Sequence, residues 1–88
     1  SRSMKLAVAD HPATIRDWAY KNGYDIKFSS IWTKNNVPLY FVDSSDMMQN
    51  MPKGTEIYIH TKTWKKHPDW KRIASTVISH MYEAIEIG

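Results

Sequence analysis

Hydrophobic residues are most regularly spaced in the last third of the chain. Apolar side chains recur there at steps of three and four, at Trp70, Ile73, Val77, Met81 and Ile85. This spacing is the period of an amphipathic α-helix with one buried face. Pro68 suits a first helical turn, and Asp69 complements the positive end of the helix dipole. The sequence therefore predicts that the longest helix occupies most of residues 68–87.

A second helix is predicted over residues 12–22. Asp10 can cap its start, Pro12 is favourable in its first turn, and Gly23 is a natural stop. Residues 4–9 are compatible either with a short strand or with the lead-in to this helix. The pattern alone leaves both alternatives open.

Between these helices the hydrophobic period changes to two, which is typical of strands with one buried face. Residues 24–33 and 37–42 are predicted to form a hairpin, because the Lys-Asn-Asn sequence between them favours a turn. Pro38 cannot donate a ladder hydrogen bond, so it is expected at a sheet edge or at the start of its strand. Residues 55–63 are predicted to form a third strand.

A short helix is predicted at residues 47–51, where residues 43–46 can cap it and Pro52 ends it. Its three Met are interpreted as gap-filling side chains, with an interaction surface as the alternative. The element order is thus α-β-β-(short α)-β-α. It predicts an α+β fold, a two-layer sandwich in which two main helices cover one face of an antiparallel three-stranded sheet.

Length and composition indicate one small packed domain. The chain has 88 residues, 42% of them hydrophobic, which suffices for one core but not for two. Residues 1–3 (Ser-Arg-Ser) have the character of a cloning remnant, so the domain is assigned to residues 4–88. Because the sequence shows no Cys, no signal peptide and no long apolar run, we expect a cytoplasmic protein that has no disulfides and does not enter a membrane.

Positive charge is concentrated in one part of the chain. The formal net charge of +3 is only mildly basic. The cations of residues 53–72, however, are Lys53, Lys62, Lys65, Lys66, Lys71 and Arg72. Only Glu56 and Asp69 oppose them there. This distribution is compatible with binding to nucleic acid.

Aromatic residues alternate with these cations, which makes this stretch the best functional candidate. Cations neutralise phosphates and aromatic rings stack on bases, so the combination suits nucleic acid. The predicted nucleic-acid-binding residues are Lys62, Trp64, Lys65, Lys66, His67, Lys71 and Arg72. Lys34 or Lys53 is expected nearby. In the alternative interpretation, Trp70 belongs to the helix core, Trp64 packs over a strand end, and the lysines form an ordinary solvated turn.

No catalytic or metal-binding pattern is recognisable in the sequence. The four His show no metal-ligand spacing, and three Gly do not form a phosphate-binding loop. Ser44 and Ser45 have no neighbouring base and are interpreted as part of a helix cap. The sequence therefore predicts a protein that is not an enzyme and that uses no cofactor or metal.

The predicted order of elements resembles that of the double-stranded RNA-binding domain. This family places a basic run at the start of its last helix, where lysines meet phosphates. Lys65, Lys66, Lys71 and Arg72 stand in the corresponding region, so the resemblance implies that they contact RNA phosphates. A Pro-Asp pair interrupts the run here and departs from the family pattern.

The chain also resembles HicA-type toxins, which share this order of elements and cleave RNA. The resemblance rests on residues 21–24 (Lys-Asn-Gly-Tyr) and 52–55 (Pro-Lys-Gly-Thr). The family's catalytic His is expected on the middle strand, and residues 37–42 contain no His. The resemblance therefore implies the fold without the cleavage activity.

Two functions of different classes follow from these observations. The first is a small non-enzymatic regulatory domain that binds nucleic acid, with RNA favoured over DNA. The alternative is a protein-interaction module, for example a small phage- or mobile-element-type regulator or inhibitor of a host protein. Its contact face would consist of Tyr40, Met47, Met48, Met51 and Tyr58.

Overall fold

The structure is a computed structural model that describes residues 4–26 and 30–88. The strands are β1 (Lys5–Val8), β2 (Ile31–Lys34), β3 (Val37–Phe41), β4 (Glu56–His60) and β5 (Glu83–Ile87). The α-helices are α1 (Pro12–Lys21) and α2 (Trp70–Ser79), and two short 3-10 helices span Ser45–Met48 and Trp64–Lys66. None of the described helices is long and apolar enough to cross a membrane.

The five strands form one mixed sheet in the order β2-β3-β1-β4-β5. The central strand β1 runs parallel to β3 and β4, and β5 runs parallel to β4. Among the described strands, only β2 and β3 pair in antiparallel fashion. The prediction of a small α+β domain with two main helices is confirmed, but the predicted three-stranded antiparallel sheet is correct only for this hairpin. The difference arises because β1 and β5 occupy segments that the hydrophobic pattern leaves open or assigns to a helix.

The two α-helices lie on opposite faces of the sheet. Leu6 of β1 belongs to a core cluster that contains Ile73 of α2, whereas its neighbour Ala7 packs in a cluster with Ile15 of α1. Because successive side chains of a strand point to opposite faces, the two clusters are two separate cores. The prediction that both helices cover one face is therefore wrong. Burial on both faces is the usual environment of a central parallel strand.

Helix α2 is shorter than predicted, and β5 occupies the end of the predicted helix. Met81 has a left-handed backbone conformation, with a φ of 58°. Its N–H donates to the carbonyl of Ile78 (3.2 Å), and the N–H of Tyr82 donates to the carbonyl of Val77 (3.0 Å). This is the Schellman arrangement that ends helices. The prediction overran the helix because a Met occupies the position that Gly usually marks.

Strands β2 and β3 form the predicted hairpin, but β2 covers only the end of the strand predicted over residues 24–33. Residues 24–26 lie outside β2 and contribute an isolated bridge between Asp25 and Thr33. Asn35 and Asn36 have φ values of 53° and 63°, which are typical of the type I′ turn that matches the twist of hairpin strands. Pro38 pairs with Thr33 and stands just before Leu39, where the pairing of β3 with β1 begins. Pro38 thus lies near the start of its strand, as predicted. The part of the first predicted strand that covers residues 27–29 lies outside the described residues.

The segment between β3 and β4 forms the 3-10 helix Ser45–Met48 instead of the short helix predicted at residues 47–51. Met48 is fully buried, and Met51 packs against the same core. Two of the three methionines therefore fill the core, as the gap-filling interpretation predicts.

Two helices leave part of a five-stranded sheet uncovered. Neighbouring strands are about 4.8 Å apart and a helix is about 10 Å wide, so one helix covers about two strands. Helix α1 packs over β1 and β3. On the same face, Tyr58 of β4 and Ile85 and Ile87 of β5 border an open cleft.

Candidate functional site

Most of the predicted nucleic-acid-binding residues lie together at the junction between β4 and α2. The 3-10 helix Trp64–Lys66 contains one set of them, and the first turn of α2, which begins at Trp70, contains Lys71 and Arg72. We call this region the basic surface. Its residues are Lys62, Trp64, Lys65, Lys66, Trp70, Lys71 and Arg72.

Lys65 joins the two tryptophans of the basic surface. Its Nζ lies 5.6 Å from the ring centre of Trp64 and 5.4 Å from that of Trp70, within the range of cation–π contacts. The Nζ of Lys71 lies 5.7 Å from the Trp70 ring centre. The two rings meet edge to face, with centroids 5.5 Å apart and planes at 89°, which is a favourable aromatic geometry. The structure thus places cations and aromatic rings on one surface.

Both tryptophans are half-buried. Trp64 packs against the core cluster on the α2 face of the sheet, and Trp70 begins α2. The packing of Trp64 agrees with the alternative interpretation of the sequence, and both rings keep exposed surface. Anchored aromatic side chains lose little conformational entropy when they bind a ligand.

The remaining cations of the basic surface point to solvent. Lys62, Lys66 and Arg72 are exposed and form no ion pair with any residue that the structure describes. The expected neighbours Lys34 and Lys53 lie elsewhere. Lys34 ends β2 and Lys53 precedes β4, so both are at the end of the sheet opposite to the basic surface, which follows β4.

His67 supports the fold and does not reach the surface. Its side chain is only 3% exposed. Its Nδ1 accepts a hydrogen bond from the N–H of Asp69 (3.0 Å), so Nε2 carries the proton and donates to the carbonyl of Val42 (2.7 Å). The prediction of His67 as a nucleic-acid contact is therefore corrected, because burial and these two bonds commit its ring to holding the turn.

Asp69 ties the basic surface to the first 3-10 helix. Its Oδ2 accepts a hydrogen bond of 2.7 Å from the backbone N–H of Ser45. This bond is the main reason why the pKa of the Asp69 carboxyl lies below its ordinary value of 3.8, since the charged carboxylate is the better acceptor. The sequence pattern gives Asp69 only a helix-dipole role, and the bond to Ser45 is a second one.

The lowered pKa of Asp69 predicts a loss of stability in acid. Its bond stabilises the fold fully above the unfolded-state pKa, near 3.8, and the stabilisation is lost as pH falls through the lower folded-state pKa. We expect the urea midpoint of Asp69→Ala to lie below that of the wild type at neutral pH, and the two to converge below about pH 4. The control is Asp46→Ala, which removes an exposed carboxylate from the 3-10 helix Ser45–Met48, the helix that contains Ser45. A difference that stays constant into strong acid would contradict the role of the Asp69–Ser45 bond.

The structure contains a second group of cations and aromatic rings, which the sequence analysis did not identify. It surrounds an open cleft of about 500 Å³ on the α1 face of the sheet. We call it the aromatic cleft, after its residues Lys5, Trp18, Tyr24, Lys34 and Tyr58. No sequence signal could have found it, because these five residues come from five different parts of the chain: β1, α1, the connection that follows α1, β2 and β4.

The aromatic rings of the cleft pack on one another. The centroid of Trp18 lies 5.7 Å from that of Tyr24 and 5.3 Å from that of Tyr58. Burial, reinforced by the neighbouring Tyr58, raises the pKa of Tyr24 to about 12. The hydroxyl of Tyr24 is protonated at neutral pH, as an ordinary tyrosine is, and the raised pKa keeps it protonated and able to donate a hydrogen bond in moderate alkali as well.

The two lysines of the cleft are held against these rings. The Nζ of Lys5 donates to the hydroxyl of Tyr58 (3.1 Å) and pairs with Glu56 (3.3 Å). The hydrogen bond to Tyr58 raises the pKa of Lys5, despite the opposing effect of its burial. The Nζ of Lys34 donates to the carbonyl of Asn22 (2.8 Å) and lies 5.5 Å from the ring centre of Tyr24. Both ammonium groups are thus held at the rim of the cleft by these contacts.

A third cluster of polar side chains lies at the carboxyl ends of β1 and β4. From these ends the chain continues to α1 and α2, on opposite faces of the sheet, which is a common ligand position in open parallel sheets. Thr63 Oγ1 accepts from the N–H of Asp10 (3.3 Å) and bonds to Nδ1 of His60 (2.8 Å). The hydroxyl of Thr14 donates to Oδ1 of Asp10 (2.7 Å). These groups bond to one another and so join the two loops. Among the described residues, no group of three or more His, Asp or Glu side chains is placed to hold a metal ion.

The methionine and tyrosine residues considered for protein binding do not form one surface. Met48 is fully buried, and Met51 and Tyr40 pack against the core on the α2 face. Tyr58 packs in the core on the α1 face. Met47 is the exposed member of the set, at 36%. The structure therefore gives this set no common contact face.

The chain matches no family model, and no curated protein or solved structure shows significant similarity to it. The basic surface and the aromatic cleft are therefore the evidence from which a function is proposed.

Proposed function

We propose that this protein is a small non-enzymatic domain that binds nucleic acid, RNA in preference to DNA, through the basic surface. The observation that carries the proposal is the position of the Lys65 ammonium over the rings of both Trp64 and Trp70. Neutralisation of phosphates by cations and stacking of bases on aromatic rings are the two contributions on which single-strand binding proteins rely.

The charge balance of the basic surface supports an anionic partner. Five of its seven residues are cations, and the carboxylate of the adjacent Asp69 is already engaged by the backbone N–H of Ser45. A strand of phosphates that follows the 3-10 helix into the first turn of α2 would pass these cations in succession. Release of counterions from such a strand favours binding at low salt.

Half-exposed aromatic rings suit unpaired bases, because the bases inside a duplex do not present their faces. We therefore expect a single-stranded segment, such as a loop or a strand end, to bind more tightly than duplex RNA. The five-stranded sheet differs from the sheet that the resemblance to the double-stranded RNA-binding domain implies. For this reason the proposal rests on the surface itself and not on the fold.

The double variant Lys65→Glu/Lys66→Glu is expected to remove most of the binding. It eliminates two phosphate contacts and adds repulsion, so the slope of log affinity against log salt should fall by about 2, roughly 1 for each lost lysine contact. The measurement is fluorescence anisotropy with labelled single-stranded RNA, double-stranded RNA and duplex DNA, at low and at near-physiological salt.

The matched control is Lys21→Glu/Lys53→Glu, which makes the same change of charge at two exposed lysines outside the basic surface. It should retain most of the wild-type affinity. If the wild-type protein bound none of the three nucleic acids even at low salt, the proposal would fail and the protein-interaction alternative would be favoured. Equal losses in both double variants would show that net charge, and not the basic surface, controls binding.

A further inference from the structure

We propose that the aromatic cleft is a separate binding site for a nucleoside monophosphate, with the phosphate at Lys34 and the base against the aromatic rings. This site goes beyond the proposed function of the basic surface. The two regions share no residue, and Lys34 lies at the opposite end of the sheet from the segment that follows β4.

The charges that line the cleft select an anion. Its lining includes two lysines and no carboxylate. Lys34 is the better anchor, because its described partners, the carbonyl of Asn22 and the ring of Tyr24, are both neutral. An ammonium group has three N–H donors, so it can keep its bond to Asn22 and donate to a phosphate oxygen. Lys5 is already paired with Glu56 and would contribute at longer range.

The uncharged part of the lining selects a planar aromatic ring. Trp18, Tyr24 and Tyr58 are half-buried and fixed by their mutual contacts, so they form a wall that needs no reordering to receive a base. The Nδ2 of Asn22 donates to the carbonyl of Trp18 (2.7 Å), which leaves its amide oxygen able to accept from an exocyclic amine. An aromatic wall next to a polar amide is suited to a nucleobase.

The size of the cleft fits such a ligand. Its volume of about 500 Å³ lies within the range of about 300–1,000 Å³ for small-molecule sites. Its apolar side is formed by Val37, Ile85 and Ile87, where the sheet extends beyond helix α1. The opening therefore results from the topology of the fold and is not a packing defect.

The test is isothermal titration calorimetry of the full chain with adenosine 5′-monophosphate, adenosine and ribose 5-phosphate. We expect binding of the monophosphate, and binding about tenfold or more weaker for each of the two fragments, since each lacks one of the two recognised groups. Lys34→Met, which keeps the aliphatic stem but removes the charge, should weaken the binding of the monophosphate about tenfold. Lys53→Met, the same change at an exposed lysine outside both the cleft and the basic surface, should leave the affinity for the monophosphate unchanged.

A second variant tests the same cleft without changing Lys34. Tyr58→Phe removes the hydroxyl that holds Lys5 while keeping the ring, so it should weaken the monophosphate less than Lys34→Met does. No binding of the monophosphate at about 1 mM, the weak end of specific affinity, would overturn the proposal. The same holds if Lys34→Met and Lys53→Met bind the monophosphate equally well, or if the wild-type protein binds ribose 5-phosphate as tightly as the monophosphate.

The two sites can be told apart with crossed variants. Lys65→Glu/Lys66→Glu should reduce affinity for RNA and leave the monophosphate unaffected, so the proposed function and this site can fail independently. If Lys34→Met reduced affinity for single-stranded RNA as well as for the monophosphate, the nucleotide in the cleft would belong to a strand. If Lys34→Met reduced only the affinity for the monophosphate, the ligand would be a free nucleotide.

Discussion

Leu6→Ala is expected to lower the free energy of unfolding by about 2–5 kcal/mol. Leu6 is fully buried in the central strand, where it lies in register between Tyr40 of β3 and Ile57 of β4. The surrounding strands are hydrogen-bonded to one another through β1, so they cannot easily close around the cavity that alanine leaves. A loss of this size is a large fraction of the total stability of a small domain, about 5–15 kcal/mol. Urea unfolding followed by tryptophan fluorescence measures it.

The control for Leu6→Ala is Ile78→Ala, which truncates an aliphatic side chain that is 79% exposed. That change should alter the free energy of unfolding by no more than about 0.5 kcal/mol. The comparison also tests the topology. If residues 4–9 were only a lead-in to the first helix, the two variants would lose similar amounts of stability.

His67→Ala is expected to lower the free energy of unfolding by about 2–4 kcal/mol. It leaves the carbonyl of Val42 without the partner of a buried hydrogen bond, which costs about 1–3 kcal/mol, and it removes the part-buried bond from the N–H of Asp69. It also opens a cavity beside Phe41, whose ring centroid lies 5.8 Å from that of His67. The same urea titration measures the effect.

Lys66→Ala is the matched control for His67→Ala, because it changes the neighbouring exposed residue of the same turn. Its free energy of unfolding should stay within about 0.5 kcal/mol of the wild-type value. A similarly small loss in His67→Ala would mean that the His67 ring does not hold the turn. His67 would then return to the predicted contacts of the basic surface.

Elements with a strong local signal were predicted correctly from the sequence. The two asparagines of the β2–β3 turn tolerate the positive φ that a type I′ hairpin needs. Helix α1 begins at the predicted Pro12 and ends one residue before the predicted end. In both cases the residues that determine the structure lie within the element or next to it, so the pattern contains the necessary information.

Strand β1 was left open and β5 was assigned to a helix, because the partners that make them strands are distant in sequence. Residues 4–9 are too short for a period to be recognised, and their strand conformation depends on β3 and β4. In the last segment, Ile85 continues the helical spacing of the apolar residues although it belongs to β5. The true end of α2 is set by the left-handed Met81, and Met gives no sign of this conformation in a sequence.

The two candidate sites also differ in how far they could be predicted from the sequence. The basic surface could be predicted because its residues are neighbours in the chain, and the structure brings the rings of Trp64 and Trp70 into contact. The burial of His67 could not be predicted, since its bond to Val42 joins two distant segments. The aromatic cleft depends on the sheet order itself, which places Lys5 beside Tyr58.

The central position of β1 also affects the order in which the fold can form. β1 precedes the other described elements, yet its neighbours in the sheet are β3 and β4, which follow much later in the chain. Closing such long loops costs entropy before any pairing compensates for it, and parallel pairing is therefore intrinsically slow. During synthesis the apolar Leu-Ala-Val-Ala segment stays without its partners until β4 has emerged, which exposes it to aggregation. We therefore expect completion of the sheet, and not formation of the helices, to limit the rate of folding.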